Sequence, residues 1–337
     1  MPLVADTDLP SFKRLQAEGS LVIPEDTAAS QEVRELHIGL LNMMPDKALE
    51  ATERQFFRLV GESNQIARFY VHPFTMKELA RSEESREHVA MYYKSFDEIK
   101  SDGLDALIIS GANVVDPALD KQDFWLPLID VVDWACDNVT SILCSCLATH
   151  AVLQFRYGQT RIPLPYKCWG IYSHRVRDRS HPLVAGMNTR FDVPHSRFNA
   201  VTPQQFAAAG LNVLVESEQA GVHLAVSEDG LRLVFFQGHP EYDVNSLLKE
   251  YKREVMRYMT GETDSYPPFP GNYFSLQTRA VLAEYRERVV AARKAGSEIP
   301  EFPEALIAPS LDNTWHDSAE SVINNWIGQV YQLTHSG

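Results

Sequence analysis

The chain has 337 residues, 45% of them apolar and 23% charged, enough to bury a substantial core in one large domain or two smaller ones. Its formal net charge of -14 excludes a general affinity for nucleic-acid backbones, which needs a basic face, but leaves room for a local basic pocket around one anionic small molecule. No apolar run approaches the roughly 20 residues that cross a bilayer, and four cysteines in a chain this long do not make a disulfide framework.

The first stretch, MPLVADTDLPSFKRLQAEGS, lacks the basic start and apolar run of a secretory signal. Cys144, Cys146 and Cys168 cluster in sequence, which points to thiol chemistry or packing in a reducing, cytoplasmic compartment. Residues 36–41 read as a buried strand ending in Asn42-Met43-Met44-Pro45. Residues 47–60 then place Leu49, Phe56, Phe57 and Val60 on one side of a helix. A second strand, 104–110, runs into Gly111-Ala112-Asn113, and a third, 140–146, into Cys144-Ser145-Cys146. A fourth, 231–237, delivers Gly238-His239-Pro240-Glu241, and residues 246–259 follow with helical spacing of Leu248, Tyr251, Val255 and Met259. Apolar strands alternating with amphipathic helices predict an α/β domain with a mainly parallel sheet flanked by helices, over residues 1–260. From about Thr260 the character changes. A Pro/Gly-rich link, Tyr266 to Gly271, precedes a helix over 276–294, and a second Pro-rich link precedes a helix near 319–331. Residues 261–337 are therefore expected to form a helical C-terminal appendage packed on the main domain.

In parallel sheets ligands bind beyond the carboxyl ends of the strands, where these reactive residue types and turn formers collect. TSILCSCLATHAVLQFR has the strand–turn–helix shape of a nucleophile elbow with sulfur in place of oxygen. Leu147, Ala151, Val152 and Phe155 continue it at helical spacing. Backbone N–H groups at the helix start can stabilise a thiolate and a developing oxyanion. A buried structural cysteine is the alternative, and Cys144, Cys146, His150 and Cys168 also offer soft ligands for a metal, although paired CxxC knuckles are missing. In LRLVFFQGHPEYD, His239 can deprotonate a thiol and later an alcohol, while Glu241 orients the imidazole. A loop histidine beside an exposed carboxylate is the plainer reading of that motif taken alone.

Together these segments resemble homoserine O-acyltransferases of the homoserine O-succinyltransferase type, whose fold is class I glutamine-amidotransferase-like (flavodoxin-like). The resemblance runs from LPSFKRLQAEGSLVI and Gln31-Glu32-Val33-Arg34 through LNMMPDKALEATERQFFRLV, ALIISGA, TSILCSCLATHAVL, YKCWGIYSH, VPHSRF and FFQGHPEYD to NNWIGQVYQ. It implies that Cys146 carries the acyl group, that His239 is the base and Glu241 its partner, and that Lys167, Ser196 and Arg253 bind substrate. Lys47 is a further candidate. The partners implied are small molecules, an acyl-CoA and L-homoserine, with no nucleic acid, membrane, metal or resident cofactor; succinyl-CoA enters as a co-substrate, and a homodimer is left open. Acetyl-CoA users in the family carry glutamate after the SGA strand and succinyl-CoA users glycine. Here Val115 aligns, which cannot repel the distal carboxylate of succinyl, so succinyl transfer is expected over acetyl transfer. A glutamine amidotransferase or thiol hydrolase, and a non-catalytic binding protein on the same scaffold, are the rivals from other classes.

Overall fold

The structure, a computed structural model, describes residues 3–29, 35–63 and 68–334. The segment Gln31-Glu32-Val33-Arg34 lies outside them. In chain order the first half contains β1 (Leu3–Ala5), α1 (Pro10–Ala17), β2 (Val22–Pro24), α2 (Glu25–Ala29), β3 (Glu35–Leu41), α3 (Asp46–Ser63), β4 (Arg68–Phe74), α4 (Glu83–Tyr92), α5 (Phe96–Asp102), β5 (Ala106–Ile109), α6 (Trp125–Asn138), β6 (Ser141–Ser145) and α7 (Leu147–Tyr157). The second half adds β7 (Ile162–Val176), β8 (Arg190–Ala200), α8 (Pro203–Ala208), β9 (Asn212–Ser217), β10 (Gly221–Val226), β11 (Leu233–Phe236), α9 (Ser246–Met259), α10 (Leu276–Ala295), α11 (Glu304–Ile307) and α12 (His316–Thr334).

Among the described residues the strands form one sheet in the order β2-β1-β4-β3-β5-β6-β11-β10-β9-β7-β8. Every neighbouring pair from β2 to β11 is parallel. Beyond β11 the pairs turn antiparallel. The expected α/β sheet flanked by helices is present, and it carries in addition an antiparallel wing.

Side chains alternate across the pleat, so each central strand feeds two cores. On one face Leu143, Val234 and Phe236 pack with Phe56 and Phe57 of α3 and with Trp326 of α12; on the other, Ile142, Cys144, Leu233 and Phe235 pack with Leu128 of α6 and Leu147 of α7. Burying a large apolar side chain of this kind contributes about 1.5–3 kcal/mol. A third cluster joins Leu248, Tyr251 and Val255 of α9 to Leu282, Tyr285 and Val289 of α10.

The C-terminal residues therefore divide between two cores. The helix α10 packs on α9, whereas Val322, Ile323, Trp326, Ile327 and Val330 of α12 lie in the same core as β3 and α3. None of the described helices is long and apolar enough to cross a membrane.

Candidate active site

The register of the sheet brings three strand ends together. Ile109 of β5 faces Cys144 of β6, and Ser145 faces Phe236 of β11, so the residues that follow, Gly111, Cys146 and His239, leave neighbouring strands at one edge. The pairing carries one step beyond the strand, because the Cys146 amide donates to the Phe236 carbonyl at 2.7 Å. Cys146 then turns with φ 50° and ψ -104°. Cys146 and Asn272 are the non-glycine residues with positive φ among those described. Such a conformation costs on the order of 1–3 kcal/mol and persists only where its surroundings impose it. Here Thr149 secures the turn from α7, its hydroxyl donating to the carbonyls of Cys144 and Phe236 at 2.8 Å each.

The elbow sets the sulfur at the start of α7, where the first-turn N–H groups have no acceptor within the helix. Leu147 supplies one. Gly111 packs against the elbow, and a Cβ there would stand 3.5 Å from the Cys146 Cβ and 4.0 Å from the Leu147 nitrogen. Cys144, two residues earlier, is fully buried in the core and burial pushes its thiol far up, so it packs rather than reacts. His150 Nε2 donates to Gln237 Oε1 at 3.0 Å. Among the described residues, Cys144, Cys146, His150 and Cys168 do not bring three ligand atoms within reach of one ion.

His239 is buried, and its Nδ1 lies 2.8 Å from Glu241 Oε1. The Glu241 carboxylate selects the tautomer with the proton on Nδ1. It leaves Nε2 buried without a conventional hydrogen-bond partner and coupled to the Cys146 sulfur. Burial alone would lower the pKa of the imidazole; the Cys146 sulfur and then Glu241 outweigh it and hold the ring well above its usual value. The imidazole thus interacts with the sulfur as well as with the carboxylate. Behind them the His239 amide donates to the Pro194 carbonyl at 2.8 Å, and Gly238 presses so closely on Val193 and His195 that a side chain there would overlap them.

This group opens into a cavity of about 830 Å³, walled by Met44 to Ala48, Gly111 to Asn113, Val115, Lys167, Ser196, Phe198, Tyr242, Glu250, Arg253 and Arg257. The predicted residues Lys167, Ser196 and Arg253 therefore all line the cavity that holds Cys146 and His239. Lys167 and Ser196 do not stand free, however. The Lys167 ammonium lies 3.0 Å and the Ser196 hydroxyl 2.6 Å from Glu250 Oε2, while the Tyr242 hydroxyl donates to Glu250 Oε1 at 2.8 Å. Burial would raise the Glu250 carboxyl, but Lys167 above all holds it below the usual carboxylate range. Arg253, half exposed, lies 3.5 Å from Glu254 and can turn its guanidinium into the cavity.

Glu250, Tyr242 and Phe198 had no place in the sequence reading as site residues. Glu250 and Arg253 lie three apart on α9, one face of a helix, and that spacing could have paired them once Arg253 was chosen. Nothing comparable marks Phe198.

A family model described as homoserine O-succinyltransferase matches residues 2–336. The chain belongs to that family. Proteins named homoserine O-succinyltransferase from Nitrosococcus oceani and Allochromatium vinosum are 65% and 67% identical to it, covering 100% and 99% of this chain and 94% of each relative. One from Methylobacter tundripaludum is 61% identical over 99% of this chain and 95% of its own. A crystal structure of a glutamine amidotransferase from Thermotoga maritima aligns with 8% identity and a TM-score of 0.45, covering 88% of this chain and 97% of that one. Family membership rests on the sequence matches, which run through both the elbow and the His239 loop.

Proposed function

We propose that this chain is a homoserine O-succinyltransferase that passes succinyl from succinyl-CoA to the hydroxyl of L-homoserine through a thioester on Cys146, a step of methionine biosynthesis in the cytoplasm. One observation carries the reading: the Cys146, His239 and Glu241 group opens into a large cavity in a chain matched over its whole length by that family.

In the first half-reaction His239 Nε2 holds the proton of the Cys146 thiol, and the sulfur attacks the thioester carbonyl of succinyl-CoA. The Leu147 amide, with help from the Gly111 backbone, stabilises the oxyanion. As the intermediate collapses, the carbon–sulfur bond to CoA breaks, and His239 returns the proton to the departing CoA sulfur. In the second half-reaction His239 takes the hydroxyl proton of homoserine, the oxygen attacks the acyl-cysteine, and the Cys146 sulfur leaves to face the imidazolium again. Both halves run on protein groups alone.

Arg253 offers a planar fork to the α-carboxylate of homoserine. Val115 at the cavity wall is uncharged and Lys47 contributes a cation there, both favourable to the distal carboxylate of succinyl. Two measurements test the reading. With succinyl-CoA and no acceptor, mass spectrometry should find a succinyl adduct on Cys146, and kcat/KM should favour succinyl-CoA over acetyl-CoA. Near-normal transfer by Cys146→Ala would end the mechanism; a preference for acetyl-CoA would overturn the donor.

A further inference from the structure

The His239 loop closes as a tight turn. Pro240 fixes one backbone angle, and the Tyr242 amide donates back to the His239 carbonyl at 3.3 Å. That turn folds the Tyr242 ring over the imidazole, with centroids 4.4 Å apart and planes 19° from parallel. Two further bonds fix the tyrosine. Its hydroxyl donates to Glu250 at 2.8 Å, and its carbonyl accepts from the Trp315 indole at 3.0 Å. Burial, then the charge of Glu250, push the phenol well above its usual pKa, so it stays a donor.

The proton transfers proposed above use only the edge of the imidazole. Glu241 restrains one nitrogen, and a ring held at a single atom can still rock, carrying Nε2 away from sulfur. A flat contact against the ring face removes that freedom. An electron-rich face also favours the imidazolium over the neutral ring.

We propose that Tyr242 is a positioning residue for His239: its ring, stacked on the imidazole, fixes the plane of that ring, and its hydroxyl bond to Glu250 is an accessory to the stack. This rests on His239 acting as the base. Among the described residues the titratable groups facing His239 are Cys146 from the elbow, Glu241 and Tyr242 from its own loop, Cys168 from β7, whose thiol is pushed up by burial, and His195 and His223 from β8 and β10, both held neutral by burial.

The test compares Tyr242→Phe with Tyr242→Leu in the full chain, reading CoA release in the donor half-reaction across pH. Phenylalanine keeps the stack and loses the tether; its alkaline limb should stay in place and its rate fall by no more than about threefold. Leucine should move the alkaline limb, where the imidazolium loses its proton, down by roughly one unit and slow the step about tenfold with little change in donor KM. Tyr242→Met serves as a second stack-free variant should leucine fail to fold. An unmoved limb in the stack-free variants, or a phenylalanine variant as impaired as they are, overturns the proposal. His239→Asn separates the two readings. If it still transfers succinyl, the base assignment fails; if it is inactive while leucine at 242 is harmless, only the stack fails.

Discussion

The ion pair between Lys167 and Glu250 permits a quantitative test of how the cavity wall is held. Their charged atoms are 3.0 Å apart, and their side chains are only 18% and 12% exposed. At an effective dielectric near 20, a contact at that distance is worth about 5 kcal/mol of Coulomb energy, set against the desolvation of both groups. Removing one partner leaves the other charge buried without compensation, which costs about 3–5 kcal/mol. Glu250→Gln strands the ammonium, and Lys167→Met, which keeps a similar shape over the Trp169 ring, strands the carboxylate. The double variant strands neither, and its glutamine amide can still bond Ser196 and Tyr242. Urea unfolding should therefore find each single variant less stable by about 3 kcal/mol or more. The double variant should be no worse than one of them, a coupling of about 3 kcal/mol or more. Additive losses, within about 0.5 kcal/mol, would mean that water screens the pair and that the buried hub is a wrong picture of this wall.

Three other outcomes follow from contacts around the site. Gly238→Ala would place a Cβ 2.5 Å from Val193 Cγ1 and 2.9 Å from His195 Nε2, directly behind the base. A thermal melt should show about 1–3 kcal/mol of destabilisation and the acylation rate should fall with it; a variant equal to wild type in both would contradict the packing. Asp243 holds Arg54 at 2.7 Å and also pairs with Arg58, and Arg54 is only 5% exposed. Burial would raise the Asp243 carboxyl, yet Arg58 and then Arg54 hold it below its usual range. Asp243→Asn should cost about 3 kcal/mol in urea unfolding, and a loss under about 0.5 kcal/mol would rank the pair with surface bridges. Burial lowers the pKa of His174 to about 4, and it also holds His195 and His223 well below the usual imidazole value. Above pH ~6.5 these rings are neutral folded or unfolded and contribute nothing; below it only the unfolded chain takes up the protons. Stability should fall from about pH 6.5 down to about pH 4, by on the order of 3 kcal/mol for His174 alone; a flat urea midpoint between about pH 7 and 5 would refute the assignment.

The parts of this fold that were legible share one property: an apolar pattern with the period of one element type, bounded by turn formers. The strands β3, β5, β6 and β11, which are dominantly apolar, and the helix α9, whose apolar residues recur at helical spacing and whose bounds coincide with the expected 246–259, all have it. The strand β4 does not, although all seven of its residues are buried, because Arg68 and His72 interrupt it; Arg68 pairs with Glu35 at 3.0 Å and His72 with His37 at 2.9 Å, partners no local pattern reveals. The hairpin of β7 and β8 escaped for the opposite reason. Exposed positions and two prolines, Pro163 and Pro165, leave β7 without a buried stripe, so Lys167 and Ser196 were reachable only through family resemblance. Phe155, expected on the buried face of α7, is 36% exposed, since the sheet covers only the first turns of that helix. Glu250 sits in LLKEYKREV, a run that reads as a solvated helix face. Its role exists only because the hairpin folds over α9.

That hairpin raises the question of how β7, paired with β9 only at Arg175 and Val176, can hold a lysine to catalytic tolerance. The β7–β8 ladder is interrupted between Pro163 and Cys168, and Lys167 falls inside the interruption. An interrupted pairing with β8 alone would leave it loose. The missing constraint arrives from the C-terminal region. Gly271 donates to the Trp169 carbonyl and accepts from the Ile171 amide, both at 2.8 Å, gripping the chain two residues after Lys167. The grip needs Gly170, whose φ of +143° and whose approach to Gly271, 2.2 Å from where a Cβ would stand, no other residue could adopt without displacement. The same C-terminal stretch reaches the other two parts of the site. Trp315 bonds the carbonyl of Tyr242 beside the base, and the Trp326 indole bonds Ser141 at 2.7 Å, at the foot of the strand that carries Cys146. The sheet alone aligns the nucleophile and the base, because β6 and β11 are paired neighbours. The substrate wall stands at the far end of an antiparallel wing, and it keeps its place relative to them because one C-terminal segment is bonded to all three.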